Sequence, residues 1–283
     1  MSITQRSPRL QSAALTLLIC AALLAVWQFL TLPKPTKLPA GVSAEYAELM
    51  GQGTAKQQGF PTPRQVALTF AHELRDPFYD HGPNDKGIGL QLAYSMARVA
   101  AGFALAAVVA LPLGFLIGMF PVLHRALDPF IQILKPISPL AWMPIALYTL
   151  KDANVSGVFV IFICSIWPMM VNTAFGVAAV RREWINVART LEVGPMRKAF
   201  QVILPAAAPT IVTGMRISMG IAWLVIVAAE MLVGGTGIGY FVWNEWNNLA
   251  LPNMLFAIVL IGVVGMLLDQ SFARLQRAVT YVE

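Results

Sequence analysis

Apolar runs long enough to cross a lipid bilayer recur along this chain, and that recurrence constrains its fold more than any other feature. The first, Ala13 to Leu30, has 18 residues. As a helix rising about 1.5 Å per residue it reaches about 27 Å, close to the roughly 30 Å hydrocarbon core. Further runs lie at about 92–120, 137–150, 155–180, 206–233 and 252–268. The run at 137–150 is too short to span alone. It is expected to extend upstream through Phe130, Ile131 and Leu134, with kinks at Pro136, Pro139 and Pro144. Six spans result. Composition agrees: 57% of the 283 residues are hydrophobic and only 12% are charged, about half the roughly 25% of a soluble domain. The prediction is an all-α membrane protein. Disorder, a secreted disulfide scaffold and an ordinary cytosolic enzyme are excluded.

The chain divides into three parts. Residues 1–32 read as a retained membrane anchor, because the apolar run is longer than that of a signal peptide and no cleavage site lies close behind it. Residues 33–89 form a polar, Pro- and Gly-rich loop in which Val66, Phe70 and Leu74 mark a short surface helix that Pro61 and Pro63 keep from extending upstream. Residues 90–283 hold the transmembrane core. The excess of 20 basic over 14 acidic residues fits basic cytoplasmic loops better than nucleic acid, and no nucleic-acid partner is expected. Arg6 and Arg9, Arg125 and Lys135, Arg181 to Lys198, and Arg274 and Arg277 fall on one side, whereas the two short loops opposite hold only Lys151. Both termini are therefore expected in the cytoplasm. Cys20 and Cys164, each inside an apolar run, read as small hydrophobes.

The stretch from Arg181 to Pro209 is the unusual one. Trp184, Val187, Ala188 and Leu191 form an apolar stripe at helical spacing. Gly194-Pro195 turns the chain, Met196 to Ile203 reads as a second helix, and Leu204-Pro205 restarts the span. Such a helix either fits a groove on another protein or lies on the lipid surface.

Asn186-Val187-Ala188, Leu204-Pro205 and Pro209 resemble the EAA loop of binding-protein-dependent ABC importer permeases. Asn186 and Val187 replace the usual Glu-Ala start, and Glu192 stands where most members have Gly, a variant familiar from the nitrate/nitrite branch. Ile137 to Leu147, Thr213 to Ile217, Ala222 to Leu232, Gly234 to Tyr240 and Ile261 to Asp269 resemble the same branch. The resemblance implies a type I importer transmembrane fold in a bacterial inner membrane, with a coupling region at 181–204. It makes Asn186, Val187, Ala188, Leu191 and Glu192 the coupling helix. The implied partners are a second copy of the chain, two ATPase subunits that bind ATP and Mg, and a periplasmic or lipid-anchored solute-binding protein. Nitrate, with nitrite, is the implied cargo; bicarbonate, cyanate and sulfonate or taurine permeases share most of the pattern.

Within the spans, Arg216, Trp223 and Glu230 recur every seven residues and share one face of the fifth span. Either this face lines the route, where Arg216 suits a small oxyanion, or Arg216 snorkels to the interface and Glu230 caps the span. Asn172 is a lining residue or an interhelical hydrogen-bond donor; Ser138 and Trp142 are weaker candidates. Gly234, Gly235, Gly237 and Gly239 are not followed by the Lys and Ser/Thr of a phosphate loop, so a loop re-entering the membrane edge is expected there. His72, His81 and His124 lack ligand-spaced partners, and neither a metal, a bound cofactor nor a catalytic constellation is expected. A secondary transporter driven by an ion gradient is the rival reading; it needs intramembrane carboxylates, for which Glu230 is the one candidate.

Overall fold

The computed structural model describes residues 8–31, 60–82 and 85–280. Of the predicted polar loop, residues 33–59 and 83–84 lie outside the described residues. Helix α1 (Pro8–Leu30) meets the remainder through α2 (Pro63–Glu73), where the Trp27 indole N–H donates to the Pro61 carbonyl at 3.0 Å. Helix α2 is the expected surface helix. Thr62 and Gln65 cap its first turn reciprocally, and Pro63 sits at the first helical position, where its missing N–H costs nothing. A small antiparallel clip, β1 (Asp80–Gly82) and β2 (Asp85–Lys86), which no pattern in the sequence predicted, then leads into the bundle; Lys86 pairs with Asp80 across it.

The bundle is built from α3 (Ile88–Met119), α6 (Ala153–Ala178), α9 (Leu204–Val233) and α11 (Leu251–Val279). Helix α6 is central, packed against α3 on one side and α9 on the other. Small residues let these backbones approach. A Cβ at Gly114 or Gly118 of α3 would collide with the α6 carbonyls of Met170 or Ala174, and one at Gly214 of α9 with Asn172 of α6. Interfaces of this kind are typical where lipid offers no hydrophobic drive to associate. The core runs through Val99, Ala106, Ala110, Val160, Ile161, Met169, Ala222, Ile226 and Phe256.

The third predicted span departs most from expectation. Helix α4 (Pro121–Leu134) meets the segment Pro139–Leu150, a tight turn (Pro139–Trp142) running into α5 (Met143–Leu150), at 83° across a short break carrying Pro136. Lys135 stays helical, but Ser138, before Pro139, is pushed out of helical conformation at φ −57°, ψ 127°, so the expected kink becomes a corner. Among the described residues, five helices are long and apolar enough to cross a membrane, six if this bent pair is counted as one span.

The stretch after the fourth span also differs from expectation. Helices α7 (Arg182–Thr190) and α8 (Pro195–Lys198) form a hook. Helix α8 does not end before the fifth span. It passes through a widened π turn, Ala199–Ile203, directly into α9, giving a continuous 39-residue helix from Pro195 to Val233. The wide turn falls just before Pro205, which cannot donate into the ordinary ladder. Finally α10 (Ile238–Asn247), which follows the non-helical turn at Gly234 to Gly237, packs on α9 and α11.

Candidate functional site

The hook stands at one end of the bundle. Its helix α7 is amphipathic in both directions. Ile185 packs against the Val180, Ile203 and Ala207 cluster, and Ala188, one turn later, is 4% exposed on the same inward side. Val187 and Leu191, 58% and 70% exposed, face away. Asn186 is exposed, and so is Trp184, whose ring lies 5.6 Å from the Arg181 guanidinium carbon. The predicted single stripe therefore splits: Ala188 covers the chain's own core, and the free apolar face is Val187 and Leu191. The helix closes with paired bonds from Glu192 N–H to the Arg189 carbonyl and Val193 N–H to the Ala188 carbonyl, each 2.9 Å. Glu192 sits in the left-handed region at φ 52°, where glycine is ordinarily preferred. A groove of about 520 Å³ runs beside the hook, lined by Trp184, Gln201, Pro205, Pro209 and Thr280.

At the opposite end, Glu230 is enclosed. The Arg98 guanidinium donates to it at 2.6 Å, the Ser95 hydroxyl at 2.8 Å and the Gly239 N–H at 3.0 Å. Arg98 also donates to the Thr236 carbonyl and hydroxyl and to Asn154 on α6. Gln91 and Ser95 accept the N–H groups of Gly237 and Ile238 at 2.5 and 2.9 Å. The first N–H groups of α10 thus meet an anion and two neutral acceptors, matching the positive end of its dipole. Gly237, at φ 129°, must lack a side chain because a Cβ there would overlap the Glu230 carboxylate. The glycine motif is the turn that brings these N–H groups to Glu230.

This arrangement separates the three residues predicted to share a face. Glu230 is 4% exposed and Trp223 is buried, its indole N–H donating to the Ile261 carbonyl at 3.0 Å. Arg216 alone opens outward, held by both oxygens of Asp269 on α11 at 2.6 Å each. Asn172 donates to the Pro168 carbonyl of its own helix at 2.8 Å and abuts Gly214. Ser138 and Trp142 frame the corner before α5. Sequence reading missed Arg98, although a lone cation inside the 92–120 run is a signal in itself, and Gln91, Ser95 and Arg98 share one helical face. Among the described residues, no three His, Cys, Asp or Glu side chains gather closely enough to hold a metal ion.

A helical bundle with a buried ion pair, a proline-broken span and a hook at one end is the architecture of a multi-pass membrane protein. Residues 110–281 match the family described as binding-protein-dependent transport system inner membrane component. The chain belongs to that family, which makes it a permease subunit of an ABC importer rather than an enzyme. It is 42% identical over 263 residues to the nitrate import permease protein NrtB of Synechocystis sp., covering 93% of this chain and 88% of that one. It is 44% identical over 207 residues to the bicarbonate transport system permease protein CmpB of the same organism, covering 73% and 74%. The fold is that of a type I importer transmembrane domain. It matches a chain of the inward-facing MetNI methionine ABC transporter with TM-score 0.60 at 17% identity, over 69% of this chain and 96% of the other.

Proposed function

We propose that this chain forms the pathway of an ATP-driven importer for nitrate, with nitrite, working as a pair of identical copies. Two separate ATPase subunits, which bind ATP and Mg, sit beneath the hook; a periplasmic or lipid-anchored binding protein delivers the anion at the clip end. The observation that carries the reading is the hook. Val187 and Leu191 are apolar and exposed on the hook, and the continuous helix Pro195–Val233 joins the hook to the fifth span. A push on α7 becomes a movement of α9, the rigid-body displacement that alternating access requires.

Charge supports the orientation. Arg125, Arg181, Arg182, Arg189, Arg197, Lys198, Arg274 and Arg277 gather at the hook end, as the bias of Lys and Arg toward the cytoplasm requires. In this reading residues 1–32 anchor the chain and both termini are cytoplasmic. Burial of Glu230 against Arg98 leaves it no open position from which to couple an ion gradient. Likeness to CmpB favours bicarbonate as the second reading.

The test is uptake of labelled nitrate and bicarbonate by proteoliposomes holding the complete assembly with its binding protein. Nitrate uptake that needs ATP and stops with vanadate is the expected result. Uptake that persists without ATP and collapses with the proton gradient overturns the importer reading; ATP-driven uptake of bicarbonate alone moves the cargo to the second reading.

A further inference from the structure

Arg216 and Asp269 form a charged pair on the outside of a membrane bundle, with side chains 36% and 52% exposed. Ionisable residues within apolar helices usually face a bundle interior or a water-filled path, so this face is read as meeting water or protein. Beside the pair lies an open groove of about 480 Å³ whose other walls are Thr213, Ile217, Gly220 and Leu224. Gly220, one turn beyond Arg216, has empty space where a side chain would stand, so the groove floor is bare backbone.

A guanidinium has two forked edges. Asp269 occupies the edge made by Nε and Nη2; among the described residues nothing bonds to Nη1, and the Nη1–Nη2 edge is open. Asp269 also shows what the fork accepts: a planar oxyanion held by two oxygens. Nitrate and bicarbonate have that same trigonal geometry, whereas a lysine would offer only a point charge. The carboxylate neutralises most of the cation's long-range pull, which weakens binding and permits release, as a transit site demands.

We propose that Arg216 is a transit site for the planar anion, with Asp269 as the counter-ion that keeps the site weak. This rests on the anion-importer reading. The test uses the complete assembly in nanodiscs without the binding protein. Nitrate affinity is measured by titration calorimetry, and nitrate uptake on the same variants in proteoliposomes supplied with the binding protein. Asp269→Asn should tighten nitrate binding about fivefold, the effect of removing one negative charge a few ångströms away in a wet groove. Arg216→Lys should weaken it about tenfold. Gly220→Leu, which leaves both charges in place, should cut transport at least fivefold by filling the groove. Equal loss of affinity and of thermal stability in Asp269→Asn and Arg216→Lys would make the pair a strut between α9 and α11 and overturn the site. Wild-type affinity in Arg216→Lys would do the same, while leaving the importer reading intact. If the wild-type assembly imports no anion at all, the reading beneath the proposal falls instead.

Discussion

Glu192 holds a left-handed backbone position with a Cβ where glycine would be unstrained, which costs about 1 kcal/mol. Glu192→Gly should therefore raise the thermal midpoint of the purified permease slightly while coupled transport continues, since the closing bonds of α7 are backbone bonds; a lowered midpoint would show that the carboxylate itself holds the turn. The opposite holds for Glu230. Removing one partner of a buried ion pair leaves the other charge unsatisfied and costs roughly 3–5 kcal/mol. Arg98→Met should strongly lower thermal stability in detergent, and combining it with Glu230→Gln should restore at least half of that loss. Additive losses in the double variant would mean the two side chains act independently. At this scale the sequence announced the cost of each charge but not its partner, because Arg98 and Glu230 are 132 positions apart and only the packing of α3 on α9 joins them.

At the scale of elements, periodicity and proline placement were enough to outline the spans, the surface helix α2 and the two-part hook. They did not reveal the sharpness of the α4–α5 corner, because a proline fixes where a helix weakens and its neighbours fix the angle. Nor did they show the continuity of α8 with α9: Leu204-Pro205 reads as a helix start, yet a π turn absorbs the missing donor. Helical spacing put Ala188 on the right helix but could not tell which flank of the stripe its own core would claim. The structure accordingly points to Leu191 as the position that best probes coupling. Leu191→Asp, on the exposed face, should leave insertion and stability near wild type and separate ATP hydrolysis from uptake. Ala188→Asp should also destabilise the hook, because a carboxylate there enters the packed side. Wild-type uptake in Leu191→Asp would take the docking role from α7. Between α3 and α6, Gly118→Leu should cost about 1–3 kcal/mol by forcing the helices apart, visible as a lower detergent denaturation temperature.

For the molecule as a whole, what needs explanation is the outward side of α9. Leu224 on this side is 71% exposed and Ile217 is also open, yet the same groove carries the Arg216–Asp269 pair. A surface that is apolar over one turn and charged over the next suits neither pure lipid nor bulk water, but it suits a seam between two copies enclosing a narrow wet path. In the proposed pair of copies, continuity of α9 with the hook makes the seam mobile, because whatever displaces α7 displaces both copies of α9. With Cys20 and Cys164 replaced by Ala, Leu224→Cys should form a disulfide between copies when membranes are oxidised. The yield should change when ATPase subunits are trapped with vanadate, since the two α9 helices separate or close as the hook moves. A cysteine that stays monomeric in every state would place this face against lipid and require the paired charges to be covered some other way. A yield indifferent to nucleotide would keep the seam but remove the lever that joins it to the hook.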